Sequence, residues 1–385
     1  MAHYAEIFLL FFRLGCSSFG GPAAHLLRFE RCFVGEKAWL SAVQYQQLVA
    51  LCQFLPGPAS SQVGMGIGLH RAGLPGAVLA FCGFTLPSVV LMSLAGIAGL
   101  SWISPAALQG AFWGLAAIVA HAVWQMVGSL TPDWPRRLLA LLAVPVFFYW
   151  QSASAQLVIL LIFAAIGAIW LRPVVVAPAL NTTGRRARSL ILLGLFFLLL
   201  VTLPWLASQF GSAMPLLLLA DVCYRAGALV FGGGHVVVPL LQQSSSQLLA
   251  ASDFLAGYAT AQLLPGPLFS FAAYLGVAAG QGIFGAILAT LMLFLPGALL
   301  LCAIFPWWYQ LGRVLPLQGA VAAVNSAVVA LLAVSWVNLI LPHAVTTHWH
   351  WLPVVAGLLL LERRWCPPVL LIPLCSTLSV TLSLN

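Results

Sequence analysis

Charge is what this chain has least of. Only 6% of its 385 residues are Asp, Glu, Lys or Arg, against roughly 25% in a soluble domain. Its seven acids leave little for acid–base or metal chemistry, and none is joined to a histidine at ligand spacing. The chain is therefore read as no enzyme, with no cofactor and no metal. Paired cysteines are missing too. Eight cysteines are scattered singly with no C-x-x-C, which reads as small buried hydrophobes, not disulfides or zinc. A cleavable leader is absent: "MAHYAEIFLLFFRLGCSSFGG" has Glu6 where basic residues would stand, and Arg13 interrupts its apolar stretch. It is read as a first membrane helix that is kept. Strand-like alternation is absent as well, which argues against a membrane barrel.

Long apolar runs fill the space. Hydrophobic residues make up 62% of the chain, with runs at roughly 73–100, 104–130, 138–171, 188–207, 213–231, 282–305 and 315–341. Runs near 20 residues match the hydrocarbon core of a bilayer. The fold class is thus an all-α, multi-pass protein bathed in lipid. The net charge of +8 sits in clusters, Arg136–Arg137 and Arg172, Arg185, Arg186 and Arg188. Basic loops stay cytoplasmic. These clusters flank apolar helices without interleaved aromatics, so nucleic acid is not an expected partner. His348 and His350 in "THWHW" are two apart and cannot share a helix face. They are read as interfacial, beside tryptophans. Nothing in the composition bars a homodimer.

The chain is written twice. At an offset of 209, Gln53, Leu55, Pro56, Gly57, Pro58 and Ser61 recur as Gln262, Leu264, Pro265, Gly266, Pro267 and Ser270. Gly73, Gly76 and Pro87 recur as Gly282, Gly285 and Pro296. Upstream the offset is 212, and Arg13, Gly15, Phe19, Gly20 and Gly21 recur as Arg225, Gly227, Phe231, Gly232 and Gly233. This divides the chain into repeats at 1–178 and 211–385, with a basic linker and extra helix at 179–210. Doubled halves with interrupted helices mark secondary transporters. If residues 39–71 make a re-entrant hairpin, the halves are parallel; if they make one broken crossing, they are inverted. Loop charge does not choose, since either arrangement leaves ten basic residues inside and three outside.

Pro-Gly-Pro explains how a helix can stop inside a membrane. Pro56 cannot continue the preceding helix, Gly57 lets the chain turn, and Pro58 suits the first position of a new helix. The new helix then starts with free N–H groups at Ala59, Ser60 and Ser61. Such an end attracts anions. Two ends supply about one positive charge, so a dianion needs more, and Arg13 and Arg225 are the candidates. An arginine fork suits a tetrahedral oxyanion. Asp221, four residues before Arg225, can pair with it along one helix face and is assigned a coupling or gating role. His121 is a candidate proton relay, weighed against a plain hydrogen-bonded bundle histidine. The expected substrate-binding set is Arg13, Gly20, Gly21, Gln53, Gly57, Ser60, Ser61, Arg225, Gly232, Gly233, Gln262, Gly266 and Ser270.

With "RLGCSSFGGPAAHL", "QFLPGPASSQ", "GLPGAVLAFCGFTLPS", "QLLPGP" and "GIFGAILATLMLFLP" assembled, the chain resembles the chromate ion transporter family along nearly its whole length. The resemblance implies halves of opposite topology in the bacterial inner membrane and a carrier that expels chromate and confers resistance. The copies differ, because Phe269 stands where the first half has Ser60 and "VVVPLLQQSSSQ" follows the second Phe-Gly-Gly. Sulfate, of the same shape and charge, is the rival substrate. A passive anion channel is the rival mechanism.

Overall fold

The computed structural model describes residues 2–19, 21–99, 103–171, 186–211, 213–230, 237–307 and 315–383. The described residues are helical and loop only, with no strand. Five helical stretches are long and apolar enough to cross a membrane: Ala59–Ala98, Pro105–Leu130, Ala187–Phe210, Leu268–Trp307 and Pro316–Ala344. The 138–171 run divides into two helices, Trp134–Tyr149 and Ala153–Trp170. Ser152 caps the second, accepting a hydrogen bond from Ala155 N–H.

The first half opens with two fold-backs. Helix α1 (Ala2–Ser17) is followed by α2 (Gly21–Glu30), which continues through a wider turn at Arg31–Glu36. Gly21 has φ +79°, which suits the reversal. The rings of Phe11 and Phe33 stack at 4.8 Å, and Lys37 Nζ meets Glu6 Oε1 at 2.9 Å. So α2 runs back along α1.

Helix α3 (Ala42–Phe54) starts at a capping box, in which Ser41 Oγ accepts from Gln44 N–H and Gln44 Oε1 accepts from Ser41 N–H. It stops at Leu55, whose backbone is extended. After Pro-Gly-Pro, α4 (Ala59–Ala98) begins. A Cβ on Gly66 would lie only 2.5 Å from Leu48 Cδ1. A straight continuation of α3 would hold those residues roughly 25 Å apart, so α3 and the start of α4 form a hairpin. Gly73, at φ +65°, breaks α4 again and reverses it. Residues 74–98 then run as one long helix.

The second half repeats this scheme. Helix α5 (Pro105–Leu130), α6 (Trp134–Tyr149), α7 (Ala153–Trp170) and α8 (Arg186–Phe210) lead to α9 (Pro215–Leu229), the match of α1, and α10 (Val237–Ser245). Helix α11 (Ala251–Leu263) stops at an extended Leu264. A tight turn at Leu268–Ser270 leads into α12 (Phe271–Gly276), and Tyr274 Oη donates to Asp253 O at 3.1 Å, closing the second hairpin. Gly280 and Gly282, both with positive φ, reverse the chain into α13 (Gly282–Ile304). Helices α14 (Leu315–Ser335), α15 (Trp351–Glu362) and α16 (Pro368–Ser383) complete the bundle. Gly110 and Gly114 let α16 press directly on α5, with Ile372 Cα 3.0 Å from a Cβ built on Gly114.

The sequence reading tied a hairpin at 39–71 to parallel halves, with the first helix kept as a membrane helix. The hairpin forms, but α1 and α2 also fold back on one another, so that count no longer holds. The inverted alternative set Lys37 and Arg71 at opposite ends. They share one end: the Arg71 guanidinium lies 5.1 Å from the centre of the Trp39 ring, beside the Lys37–Glu6 pair.

Candidate functional site

The two Pro-Gly-Pro turns meet the opposite halves reciprocally. Gly57 N–H donates to Val230 O at 2.7 Å, and Gly266 N–H donates to Ser18 O at 2.8 Å. Ser18 and Val230 are matching residues at the offset of 212. A Cβ on Gly57 would lie 2.9 Å from Gly297 Cα, and one on Gly266 would lie 2.7 Å from Ser88 Oγ. Ser88 and Gly297 match at the offset of 209. Contact of i with j′ and of j with i′ is the pattern of a two-fold relation. Both glycines have positive φ, +126° and +96°, which favours glycine. Their N–H groups are therefore occupied by carbonyls, and any anion must be held by the helix starts that follow.

Around these turns lies a cavity of about 420 Å³. Its wall takes Pro22 and His25 from α2, Gln53 from α3, Gly57 from the turn and Ala59 and Ser60 from the first turn of α4. Ser129 ends α5, Arg136 begins α6, Gln318 and Asn325 come from α14, and Leu268 and Phe269 close the side toward the second half. Pro58 stands at the helix cap with no capping side chain, so the first-turn N–H groups, those of the lining residues Ala59 and Ser60 among them, have no helical acceptor. A second hollow of about 50 Å³ adjoins, lined by Gly21, Gln262, Gly266 and the apolar Ile118, Leu264 and Val369. Pro22 and Leu268 border both.

The cavity holds buried polar groups with spare capacity. His25 is 1% exposed. Its Nδ1 lies 3.4 Å from Ser60 Oγ, its ring lies close to the Ser18 carbonyl, and its Nε2 has no aligned hydrogen bond. Asn325 Oδ1 is likewise unpartnered. Ser61, just behind Ser60, is 2% exposed with an unpartnered hydroxyl. Arg136 Nε lies 3.2 Å from Asp133 Oδ2 without hydrogen-bond alignment.

The expected residues thus separate. Gln53, Gly57 and Ser60 come together at the larger cavity, and Gly21, Gln262 and Gly266 at the smaller. Ser270 Oγ lies 2.6 Å from Ser88 Oγ, across the boundary between halves. Arg13 is exposed and lines neither hollow. Arg225 holds Asp221 through two contacts of 2.7 and 2.5 Å, with Asp221 only 2% exposed. That pair also lies outside both walls. His121 sits elsewhere on α5, 3.4 Å from Glu362 Oε2, in a separate surface hollow with Trp124 and Arg364. Gly20, Gly232 and Gly233 fall outside the described residues, as does most of the basic segment 172–188. No cluster of three or more His, Cys, Asp or Glu able to hold a metal occurs among the described residues.

Sequence reasoning passed over His25, Arg136, Gln318 and Asn325. A signal existed for Arg136. Asp133 caps α6, accepting from Arg136 N–H at 3.1 Å, and Pro135 stands in the first turn. Asp-x-Pro marks a helix start, which places Arg136 on a helix packed into the bundle and not in an open loop.

Comparison with known proteins agrees with this architecture. A chromate transport protein of Pseudomonas aeruginosa is 29% identical over 318 residues, covering 76% of this chain and 70% of that protein. A chromate transport protein of Cupriavidus metallidurans is 28% identical over 342 residues, covering 84% and 79%. A probable chromate transport protein of Synechococcus elongatus is 28% identical over 316 residues, covering 79% and 76%. No solved structure matches the chain. The chromate transporter family model matches residues 5–170 and 217–380, one stretch in each half, and the chain belongs to that family.

Proposed function

We propose that this chain is a secondary transporter that exports chromate across the bacterial inner membrane and so confers resistance. It would work through inverted repeats at 1–178 and 211–385 about a linker at 179–210. The observation that carries the reading is the cavity itself. Two broken helices from two halves meet there, a helix start faces the space, and polar groups with spare hydrogen-bonding capacity line it. Discontinuous helices at the interface of two repeats are where transporters place their substrate.

The order of contacts along α4 supports inversion. Its second part starts at Gly73, the base of the first hairpin. Gly83 then packs on α1, Ser88 meets the tip of the second hairpin, and Gly96 meets Val277 near that hairpin's base. The second hairpin therefore runs from tip to base away from the base of the first. The end bearing Lys37 and Arg71 would be cytoplasmic by its positive charge. The cavity wall includes the last turn of α5 and the first turn of α6, next to Arg136–Arg137, which suits loading from that side.

The test is uptake of radiolabelled chromate into inverted vesicles, with sulfate as competitor and with a proton gradient or potential imposed in turn. Saturable, gradient-dependent chromate accumulation is expected. Vesicles that fail to accumulate chromate at normal protein abundance refute the reading, and single-channel currents in a planar bilayer would replace the carrier by a channel.

A further inference from the structure

We propose that the oxyanion binds once per chain, in the first-half cavity, with Arg136 as its counter-charge and His25, Ser60 and the first turn of α4 as its hydrogen-bond donors. This rests on the transporter reading and specifies its site.

Three observations carry it. The first is the cavity's polar wall. His25 is almost fully buried with an unpartnered Nε2, and it lines the same space as Ala59 and Ser60. A helix start beside a buried imidazole whose Nε2 lacks an aligned hydrogen bond is a place prepared for a hydrogen-bonding ligand. The second is the cation. Arg136 is the one Lys or Arg among the described residues in that wall. Its Nε pairs with Asp133 Oδ2 at 3.2 Å without hydrogen-bond alignment, while Asp133 Oδ1 caps α6. A guanidinium fork held on its Nε side by one carboxylate oxygen can still offer its terminal N–H groups to a tetrahedral oxyanion.

The third is the failure of the second copy to match. Where the first half has Ala59, Ser60 and His25, the second has Leu268, Phe269 and Val237. Phe269 is 4% exposed, with its ring centre 5.8 Å from that of Phe294. The second hairpin resumes through a tight turn at Leu268–Ser270. Its hollow of about 50 Å³ has no Lys or Arg among its described lining residues.

The test is equilibrium dialysis of radiolabelled chromate, and separately of sulfate, against purified full-length protein, beside vesicle transport by the parent. One anion per chain is expected. Arg136→Gln should weaken binding tenfold or more, and Arg136→Lys should recover part of that loss. The Gln variant keeps the α6 cap, because the cap uses the backbone N–H of residue 136. Ser60→Phe, which copies the second half, should abolish binding. Two anions per chain, or parent-like affinity in both Arg136→Gln and Ser60→Phe, would overturn the site while transport by the parent upheld the function. A parent that binds neither anion overturns both. A parent that binds one anion, loses it in Arg136→Gln and yet fails to transport supports the site and refutes the function.

Discussion

Replacing Gly57 by alanine tests whether the two halves are held together at the Pro-Gly-Pro tips. The new Cβ has two costs. The backbone at φ +126° is one that a side chain rarely adopts, worth about 1–3 kcal/mol. The Cβ would also lie 2.9 Å from Gly297 Cα and 2.9 Å from Gln62 Nε2. Neither neighbour can step aside cheaply. Gly297 is backbone, and the Gln62 amide is tied to Pro56 O at 3.0 Å and Gly297 O at 3.1 Å. The tip must retreat, which breaks the Gly57 N–H bond to Val230 O and leaves a buried donor unpaired for a further ~1–3 kcal/mol.

Gly73→Ala is the internal control. Gly73 also has positive φ, +65°, but a Cβ there meets nothing within 4 Å, so it bears only the backbone strain of about 1–3 kcal/mol. Unfolding free energies of both variants, from titration of mixed micelles with SDS followed by tryptophan fluorescence, should differ by about 1–3 kcal/mol. Gly266→Ala should behave like Gly57→Ala, with one difference. Its obstruction is the Ser88 side chain, 2.7 Å away, so adding Ser88→Gly should relieve part of the loss. No side-chain truncation at position 297 is available to relieve Gly57→Ala. If Gly57→Ala is no more destabilising than Gly73→Ala, the cross-half bond contributes nothing and the reciprocal interlock is not what joins the halves.

Other outcomes follow from the same geometry. Arg225→Gln leaves Asp221 buried at 2% exposure without its partner, so it should cost about 3–5 kcal/mol in the same titration, with Asp221→Asn in the same chain restoring most of it; a double variant as unstable as the single would refute the pairing. Arg13→Gln, at an exposed position that lines neither hollow, should change stability by less than about 0.5 kcal/mol and leave vesicle transport near the parent's. With Cys16 and Cys82, the exposed native thiols, replaced, cysteines at Gly35 and Arg363 should both be shielded from an impermeant reagent on intact cells and one at Gly280 should be labelled; labelling at 35 would refute the proposed orientation.

Much of the scaffold was legible because it is enforced locally. Proline and glycine act through their own backbones, so "LPGP" announced its break twice, and both turns carry an extended leucine followed by a positive-φ glycine. Asp221 and Arg225 were legible for the same reason, being one helical turn apart. Partnership across the halves was not. The Gly57 N–H finds an acceptor 173 positions away at Val230, and nothing near Gly57 in sequence tells whether its donor faces a ligand or a carbonyl. Arg136 was hidden by a competing rule: clustered arginines beside an apolar run suggest a cytoplasmic loop, whereas only the packing of α6 turns one of the pair toward the cavity.

The two kinds of residue have diverged differently between the copies, and the contacts give a physical reason. Positions that hold the halves together act through the backbone and need each other. Gly57 faces Gly297 and Val230, while Gly266 faces Ser88 and Ser18; a Cβ at either tip would disturb its own half and the opposite one together, so both tips remain glycine. Positions that line the cavity act through side chains. Ser60 can keep its hydroxyl while Phe269 becomes a filler, because a phenyl ring at the second place plugs a space and breaks no backbone bond. Sealing one side of the meeting point also removes a second wet region from the membrane interior, where unsatisfied backbone would otherwise need water. A duplicated scaffold with one polar pocket is therefore a stable outcome of the fold: the symmetric part is what two mutually dependent turns require, and the asymmetric part is what the proposed single oxyanion site would require.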